Sequence, residues 1–313
     1  MYTRHYHPRH QSPASEQGAA LLVLMLLAFL AAANWLIQQR GGESAANARG
    51  AVDRTTSTAL AQAKEALLGR AASDDNRPGS LPCPDTDNDG DSEMFAGVNC
   101  PAYIGRLPWR TLHVPEVLDG NGERLWYALS TNLRDHPSAQ PINAQLVAQL
   151  SLDGRPNVAA IIFSAGASLA GQNGRPSNAV ADYLDGTNAD GDNAYASGPA
   201  SPTFNDAALA ITQDDLFRAV RRRVLAELRG APTSSGLRRY RAEQGAFPWA
   251  DSGGDGFADS GEASGGLPYR ELTMTPAQAW LNDNAWLPLI DYQRVNANLV
   301  RIAIGNVTLD VVP

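Results

Sequence analysis

The sequence predicts an α+β protein in which a long N-terminal helix, transmembrane and then amphipathic, packs on antiparallel sheet and precedes two related globular modules. Three observations predict this fold. An apolar run occupies residues 19–37, good helix formers follow it, and a phrase rich in Gly, Pro and Asp occurs twice. With 313 residues, the chain is long enough for one large domain or two ordinary ones.

Residues 19–37, AALLVLMLLAFLAAANWLI, contain no charged side chain. A helix of this length rises about 28 Å, which matches the thickness of the bilayer hydrocarbon. The run is apolar on every face, so a buried core helix is the less favoured alternative. Arg4 and Arg9 precede it against a single acid, Glu16, and this bias predicts a cytoplasmic N-terminus and export of the rest.

Residues 40–72 continue the apolar run with an amphipathic helical pattern. They are rich in Ala, Gln, Lys, Glu and Leu, which are good helix formers. One apolar stripe follows this stretch at helical spacing: Val52, Ala59, Ala63, Ala66 and Leu67. We therefore expect one helix whose first half, residues 19–39, is transmembrane and whose second half packs on a globular domain.

The order of these segments carries a family resemblance. A short basic leader ends in EQG at Gly18, and the apolar run and its amphipathic continuation follow directly. This N-terminus resembles those of type IV pilins and type II secretion pseudopilins. The resemblance implies a pilin-like fold and a prepilin-type leader, residues 1–18, which a prepilin peptidase removes so that Ala19 becomes the new N-terminus.

Two positions depart from the family pattern and indicate an atypical minor member. Family members usually begin the mature chain with Phe or Met, where this chain has Ala19. They usually carry Glu at the fifth mature position, where this chain has Val23. That Glu is thought to pair with a neighbour's terminal amine during assembly. Its absence indicates a minor or tip subunit, or a relative that does not polymerise.

The resemblance implies a non-enzymatic, single-pass protein of the bacterial inner membrane, with its N-terminus cytoplasmic and its globular part periplasmic. The expected partners are other pilin or pseudopilin subunits, contacted through the N-terminal helix, together with the prepilin peptidase and the membrane. The alternative is an anchored periplasmic binding protein, braced by calcium, that does not polymerise. The net charge of −8 argues against a nucleic-acid partner, because phosphates require a basic face.

An internal repeat organises the exported part. The phrase GSLPCPDTDNDG at residues 79–90 matches GAFPWADSGGDG at 245–256 in its Gly, Pro and Asp positions. Six residues are then missing from the second copy, after which LPWRTL at 107–112 matches LPYREL at 267–272. So many shared Gly and Pro positions indicate two related modules.

At the second offset the repeat aligns Trp126 with Trp286. It places the first globular module at residues 73–210 and the second at 211–313. A helix opens the second module, because Thr212 can cap it with Asp215 three residues on, and Gly230 can stop it. Strands are predicted at three places: residues 123–130, 157–166 and a hairpin at 300–312 that turns at Gly305-Asn306.

The only two cysteines, Cys83 and Cys100, bracket the first acidic phrase. In an oxidising compartment they can pair and close a short loop. The alternative of two free thiols, or of half a zinc site, is less favoured because no second pair of ligands accompanies them.

The acidic phrase itself predicts a calcium site. Four carboxylates alternate along it: Asp85, Asp87, Asp89 and Asp91. Hard oxygen ligands at alternate positions, with a Gly for the tight bend, are what calcium prefers, although the bidentate Glu of an EF-hand is missing. Two further loops are weaker metal candidates, one with Asp185, Asn188, Asp190 and Asp192 and the other with Asp251, Asp255 and Asp259. A solvated turn is the alternative for all three.

Catalytic patterns are sparse. The stretch GASLAG departs from the G-x-S-x-G motif at Ala170, and His113 and His136 are the only histidines after the leader. No P-loop or Rossmann glycine pattern is present. We therefore expect no catalytic residues and no enzyme.

Overall fold

A computed structural model describes residues 16–136, 141–172, 174–274 and 277–313. The chain divides into two compact units, residues 1–53 and 54–313. Most of the predicted leader, residues 1–15, lies outside the described residues, and so do most side chains of the predicted transmembrane half. Within the described part of the chain, no helix combines the length and the apolar character needed to cross a membrane.

The secondary structure confirms a mixed α+β protein with two sheets. The helices are α1 (Glu16–Ser73), α2 (Gln213–Arg229), α3 (Gly236–Gln244) and α4 (Gln278–Asp283). The strands are β1 (Ile104–Arg106), β2 (Trp126–Leu129), β3 (Leu150–Leu152), β4 (Arg155–Ser164), β5 (Ala194–Tyr195), β6 (Ala207–Thr212), β7 (Ser264–Gly266), β8 (Asp291–Asn296), β9 (Leu299–Ile304) and β10 (Val307–Val311).

In the first unit the described residues belong to α1, and the side chains of Met25, Phe29 and Leu30 are exposed there. In the second unit, the last turns of α1 bury part of the predicted apolar stripe. Ala59, Ala63 and Leu67 are buried in the main hydrophobic core, and Ala66 is half-buried against it. Ala71, one turn further on, is also fully buried there.

The two sheets share a four-stranded antiparallel plan. In the first sheet the strands lie in the order β1–β2–β4–β6, and in the second in the order β7–β8–β9–β10. Paired Cα positions cross the sheets in the same register: Gly105, Tyr127, Ile162 and Leu209 in the first, and Gly265, Tyr292, Ile302 and Leu309 in the second. The first sheet adds β3 and β5, and this pair is parallel, which the prediction of antiparallel sheet did not include.

This register corrects one detail of the sequence repeat. Trp126 lies in β2 and pairs with Arg106, and its counterpart in the second sheet is Asp291, which pairs with Gly266. The alignment of Trp126 with Trp286 is therefore wrong. The reason is the connection between the first and second strands of each sheet, since the stretch from β7 to β8 is longer than that from β1 to β2 and contains α4.

Both sheets belong to one compact unit with a shared core. The buried face of α2 contacts β4 and β6 of the first sheet as well as β9 and β10 of the second. The main core cluster accordingly contains Leu129 and Ile162 together with Val300 and Ile302. β6 continues to Thr212, so the first sheet extends two residues beyond the predicted module boundary at 210.

The helix predicted to open the second module is confirmed. The Asp215 N–H donates to the Thr212 hydroxyl at 3.1 Å, and the Thr212 N–H donates back to the Asp215 carboxylate, which forms a capping box. The helix ends at Gly230, whose N–H donates to the Ala226 carbonyl. Lys64 of α1 binds the Asp215 carboxylate at 2.7 Å and so ties α1 to this helix start.

Candidate functional site

The acidic phrase of the first copy forms a turn around one buried carboxylate. Asp85 has no exposed surface, and its two oxygens accept the N–H groups of Asn88 at 2.6 Å and of Gly90 at 2.8 Å. The backbone of Asp85 exchanges two hydrogen bonds with Arg106 at the end of β1. Asp85 therefore fastens the turn to the first sheet. We call this arrangement the carboxylate brace.

The second copy builds the same brace with fewer acids, because Gly253 and Phe257 replace Asp87 and Asp91. Asp251 accepts the N–H groups of Gly254 at 2.6 Å and of Gly256 at 2.7 Å. Its backbone exchanges two hydrogen bonds with Gly266 at the end of β7. A second carboxylate closes each turn, because Glu93 accepts the Thr86 N–H in the first copy and Asp259 accepts the Ser252 N–H in the second.

An aromatic ring covers each brace at the glycine that ends its phrase, Gly90 or Gly256. Gly90 has a φ of +92°, and a Cβ placed on it would lie 2.5 Å from the Trp109 ring nitrogen. Gly256 has a φ of +87°, and its Cβ would lie 2.7 Å from Cζ of Tyr269. The two rings occupy equivalent positions in the phrases LPWRTL and LPYREL. The repeated glycines are thus required both by backbone conformation and by close packing.

The first brace also gathers acidic groups. One carboxylate oxygen from each of Asp85, Asp87 and Asp89 lies within 4.8 Å of the others, and among the described residues no other three acidic or His/Cys ligands come so close. Burial raises the pKa of the Asp85 carboxyl, against the N–H groups of Gly90 and Asn88, and the charges of Asp89 and Asp87 add to the rise. A cation beside these groups would relieve that repulsion.

The fourth predicted ligand is not part of this group. Asp91 lies 3.8 Å from the guanidinium of Arg110, and both side chains are more than half exposed. Asp87 and Asp89 are exposed, and each accepts one backbone N–H on a single oxygen, which leaves the other oxygen available. The structure therefore brings together three of the four residues predicted from the sequence.

The weaker candidate loops are arranged differently. Asp185 and Asn188 are buried, and their carboxylate and amide oxygens accept N–H groups of the protein. Asp190 and Asp192 are not gathered with them into a group of three acidic ligands. In the second copy, Asp251, Asp255 and Asp259 all accept backbone N–H groups of their own turn. Both loops are held by protein donors.

No family model, characterised protein or solved structure matches this chain. The site must therefore be interpreted from its own geometry.

The predicted disulfide is confirmed. Cys83 and Cys100 are bonded, with their Cα atoms 5.5 Å apart, and both are buried. The bond closes the segment that contains the acid cluster. In the second copy Trp249 takes the position of Cys83 and packs on the Arg294 guanidinium, whose carbon lies 3.8 Å from the ring centre. One copy thus holds its turn covalently and the other by an aromatic contact.

Replacing both cysteines with Ala is expected to lower the free energy of unfolding by about 3 kcal/mol. The bond spans 17 positions, and a loop of that size removes this much chain entropy from the unfolded state. Urea denaturation of the oxidised protein and of the double variant measures the difference. A reductant should destabilise the wild type by a similar amount and leave the variant unchanged, and equal stability of all samples would contradict the prediction.

The residues predicted for leader processing and for the imperfect G-x-S-x-G stretch lie in α1 and in a local turn. Gly18 and Ala19, the predicted processing residues, lie in the first turn of α1, where the structure describes the backbone only. The hydroxyl of Ser168, the centre of the imperfect G-x-S-x-G stretch, donates to the Gln172 carbonyl at 2.9 Å. That hydrogen bond closes a local turn.

Sequence reasoning missed two further buried carboxylates, Asp206 and Asp119. Asp206 precedes β6 and is 3% exposed, and Asp119 is equally buried. Asp119 accepts the N–H groups of Asn121 and Glu123 and the Ser164 hydroxyl, so its environment is a third example of a turn built around an acid. Asp206 is different, because one of its oxygens has no donor among the described residues. The sequence contained no signal beyond a single Asp before a strand.

Proposed function

We propose that this chain is a membrane-anchored minor subunit, similar to pilins and pseudopilins, of a type IV pilus or a type II secretion pseudopilus, with a non-enzymatic assembly or tip role. The observation that carries the proposal is α1, a helix of 58 residues that includes the leader junction and whose last turns are buried in the second unit. A long helix that ends in a mixed α+β unit is what the family resemblance implies.

The second unit, residues 54–313, which we call the head, favours the role of a minor subunit over that of the main, repeating subunit of a filament. It contains two sheets with a shared core, and both sheets are fastened by carboxylate braces. A head of this bulk hinders the regular stacking of neighbouring subunits. The replacement of the usual Glu by Val23 removes a contact that the resemblance assigns to filament growth, which agrees with a subunit at the tip.

Processing of the leader tests the proposal directly. Co-expression with a prepilin peptidase, followed by mass spectrometry of the membrane fraction, is expected to show a mature chain that begins at Ala19. A Gly18→Val variant should remain uncleaved, whereas a Gly41→Ala variant, which changes a glycine outside the junction, should be processed normally. A wild-type chain that keeps Met1 under these conditions would overturn the proposal.

The acid cluster favours a second candidate function, that of an anchored periplasmic binding protein, braced by calcium, that keeps its leader and does not polymerise. Crosslinking in cells that produce pilus or pseudopilus components distinguishes the two candidates. Crosslinks from the N-terminal helix to other pilin-like subunits support the first. A full-length chain without such crosslinks supports the second.

We further propose that Asp85, Asp87 and Asp89 bind calcium in either case. Three carboxylates and a few waters make a site of low affinity, with a dissociation constant of about 10⁻⁴ to 10⁻³ M, as in extracellular modules. The turn does not require the ion for its shape, because the second copy forms the same brace around Asp251, although its acids are not gathered into a group of three.

Titration calorimetry on the full chain is expected to show calcium binding that EDTA reverses. The double variant Asp87→Asn/Asp89→Asn should lose the binding and keep its stability in EDTA, since both side chains are exposed. The matched control Asp190→Asn/Asp192→Asn changes the third acidic loop and should bind calcium as the wild type does. Binding that survives the first double variant would contradict the assignment.

A further inference from the structure

The outer faces of the two repeated sheets differ. In the first sheet Trp126, Ile161 and Phe163 are buried on that face, and residues 165–206, which we call the cover segment, pack over them with Tyr183, Leu184 and Tyr195. The corresponding positions in the second sheet are Asp291, Arg301 and Ala303, and β9 and β10 are joined there by a tight turn in place of such a segment. The cover segment is thus an addition to the repeated fold.

The end of the cover segment is fastened by two carboxylates: Asp206 accepts the backbone N–H of Asp185, and Asp185 accepts the backbone N–H of Asn205, the neighbour of Asp206. The Asp206 Oδ2 accepts the Asp185 N–H at 2.8 Å and the Asn188 amide at 2.8 Å. The Asp185 carboxylate accepts the Asn205 N–H at 2.8 Å and the Gln172 amide at 2.8 Å. Three of these bonds connect the middle of the cover segment to Asn205 and Asp206, which directly precede β6, and the fourth holds Asp185 to Gln172.

Of these two carboxyls, Asp206 is the one whose negative charge would be less well stabilised by its surroundings. Its Oδ1 is buried and accepts no hydrogen bond within the described part of the chain. The charged groups that act on it are Asp185 and Arg175. Arg175 is shared, since it donates to the carbonyls of Asp182, Gly166 and Tyr183 and lies 3.6 Å from the Glu123 carboxylate. The one guanidinium that acts on the Asp206 carboxyl is therefore already engaged by other groups.

We propose that Asp206 carries a proton while the cover segment is fastened, and that ionisation of this carboxyl loosens the segment from the first sheet. Burial raises the pKa of Asp206 to about 7, and the Asp185 charge adds to the rise, while the N–H donors and Arg175 oppose it. A released Asp206 in water would titrate near its ordinary value of about 3.9.

The sign of the pH effect follows from these two pKa values. Between about pH 4 and pH 7 the fastened state holds a proton that the released state does not. The fastening is therefore strongest at acidic pH, weakens as the pH rises through this window, and changes little above it. The cover segment would therefore respond to the pH around the exported part of the chain. When the segment opens, the apolar sheet face that carries Trp126 and Phe163 becomes accessible.

Hydrogen exchange of the full chain, read by mass spectrometry and corrected for the intrinsic exchange rate, tests the inference. The opening constant of amides in the cover segment is expected to rise at least about tenfold between pH 5 and pH 8 in the wild type. An Asp206→Asn variant, which is neutral at every pH, should remove this dependence and be better protected than the wild type at pH 8. Asp192→Asn, an exposed acid of the same segment, should behave as the wild type does.

Two results would overturn the inference. The first is an opening constant that does not change with pH in the wild type. The second is an Asp206→Asn variant that opens more at both pH values, which a purely structural role predicts. Should the variant fail to fold, a pH titration of the Asp206 carboxyl carbon by NMR in the wild type tests the inference. A titration midpoint near pH 7 would support it, and a midpoint near pH 4 would contradict it.

Discussion

Replacing Asp85 with Ala is expected to lower the free energy of unfolding by about 2–4 kcal/mol. The side chain is fully buried, and its removal leaves the N–H groups of Asn88 and Gly90 without the acceptor they have in the folded state. Each buried donor that loses its partner costs about 1–3 kcal/mol. Urea denaturation monitored by tryptophan fluorescence measures the change.

The second copy of the repeat tests whether the loss at Asp85 comes from its unsatisfied backbone N–H groups. An Asp251→Ala variant should lose a similar amount, because Asp251 holds Gly254 and Gly256 in the same way, although the acids of its turn are not gathered into a group of three. Asp87→Ala changes an exposed acid of the first turn and should cost less than about 0.5 kcal/mol. For each of the three variants, the loss measured in calcium-free buffer should not change when EDTA is added. A loss at Asp85 that disappears in EDTA, with Asp251→Ala neutral, would show that Asp85 acts through a metal and not as a brace.

The Asp85 turn also shows where sequence reasoning stopped. Alternating acids and a glycine predict metal ligands, and the structure does gather three of them. The same residue pattern also fits a turn in which an acid accepts backbone N–H groups of its own loop. Only the burial of the acid distinguishes such a turn from a metal site. Asp85 is buried where its backbone pairs with that of Arg106, 21 positions away at the sheet edge. A local pattern cannot contain that information.

Elements defined by local chemistry were predicted well. The capping pair at Thr212 and Asp215 and the turn at Gly305-Asn306 are both confirmed, because a cap and a tight hairpin are each decided within a few residues. The predicted strand at 157–166 corresponds to β4. The repeat was found from Gly and Pro positions, yet its Trp126 alignment failed where the length of a connection changed.

The cover segment could not be predicted for a related reason. Its acids and glycines at residues 185–193 suggested a third metal loop, whereas Asp185 binds the backbone of Asn205 and Asp206 binds the backbone of Asp185. This reciprocal pairing joins positions about 20 residues apart, and no spacing rule anticipates it. The apolar strand β4 signalled burial on both faces, but it did not say which part of the chain would supply the second cover.

The second large effect is expected at the glycines that close the two braces. A Gly90→Ala variant should lose about 2–5 kcal/mol, because its φ of +92° disfavours any side chain and the new methyl would meet the Trp109 ring at 2.5 Å. Gly256→Ala should lose a similar amount against Tyr269, at a φ of +87° and a contact of 2.7 Å. Thermal and urea denaturation of the two variants measure both losses.

The control for this prediction comes from the other copy. Gly254 also has a positive φ, of +77°, but its Cβ would meet nothing within 4 Å, and the first copy carries Asn88 at this position with a φ of 69°. Gly254→Asn is therefore expected to change stability by less than about 0.5 kcal/mol, since Asn tolerates the left-handed region. If Gly254→Asn were as damaging as Gly256→Ala, the backbone conformation alone would explain both losses. If both were harmless, the aromatic rings would not pack on the braces as described.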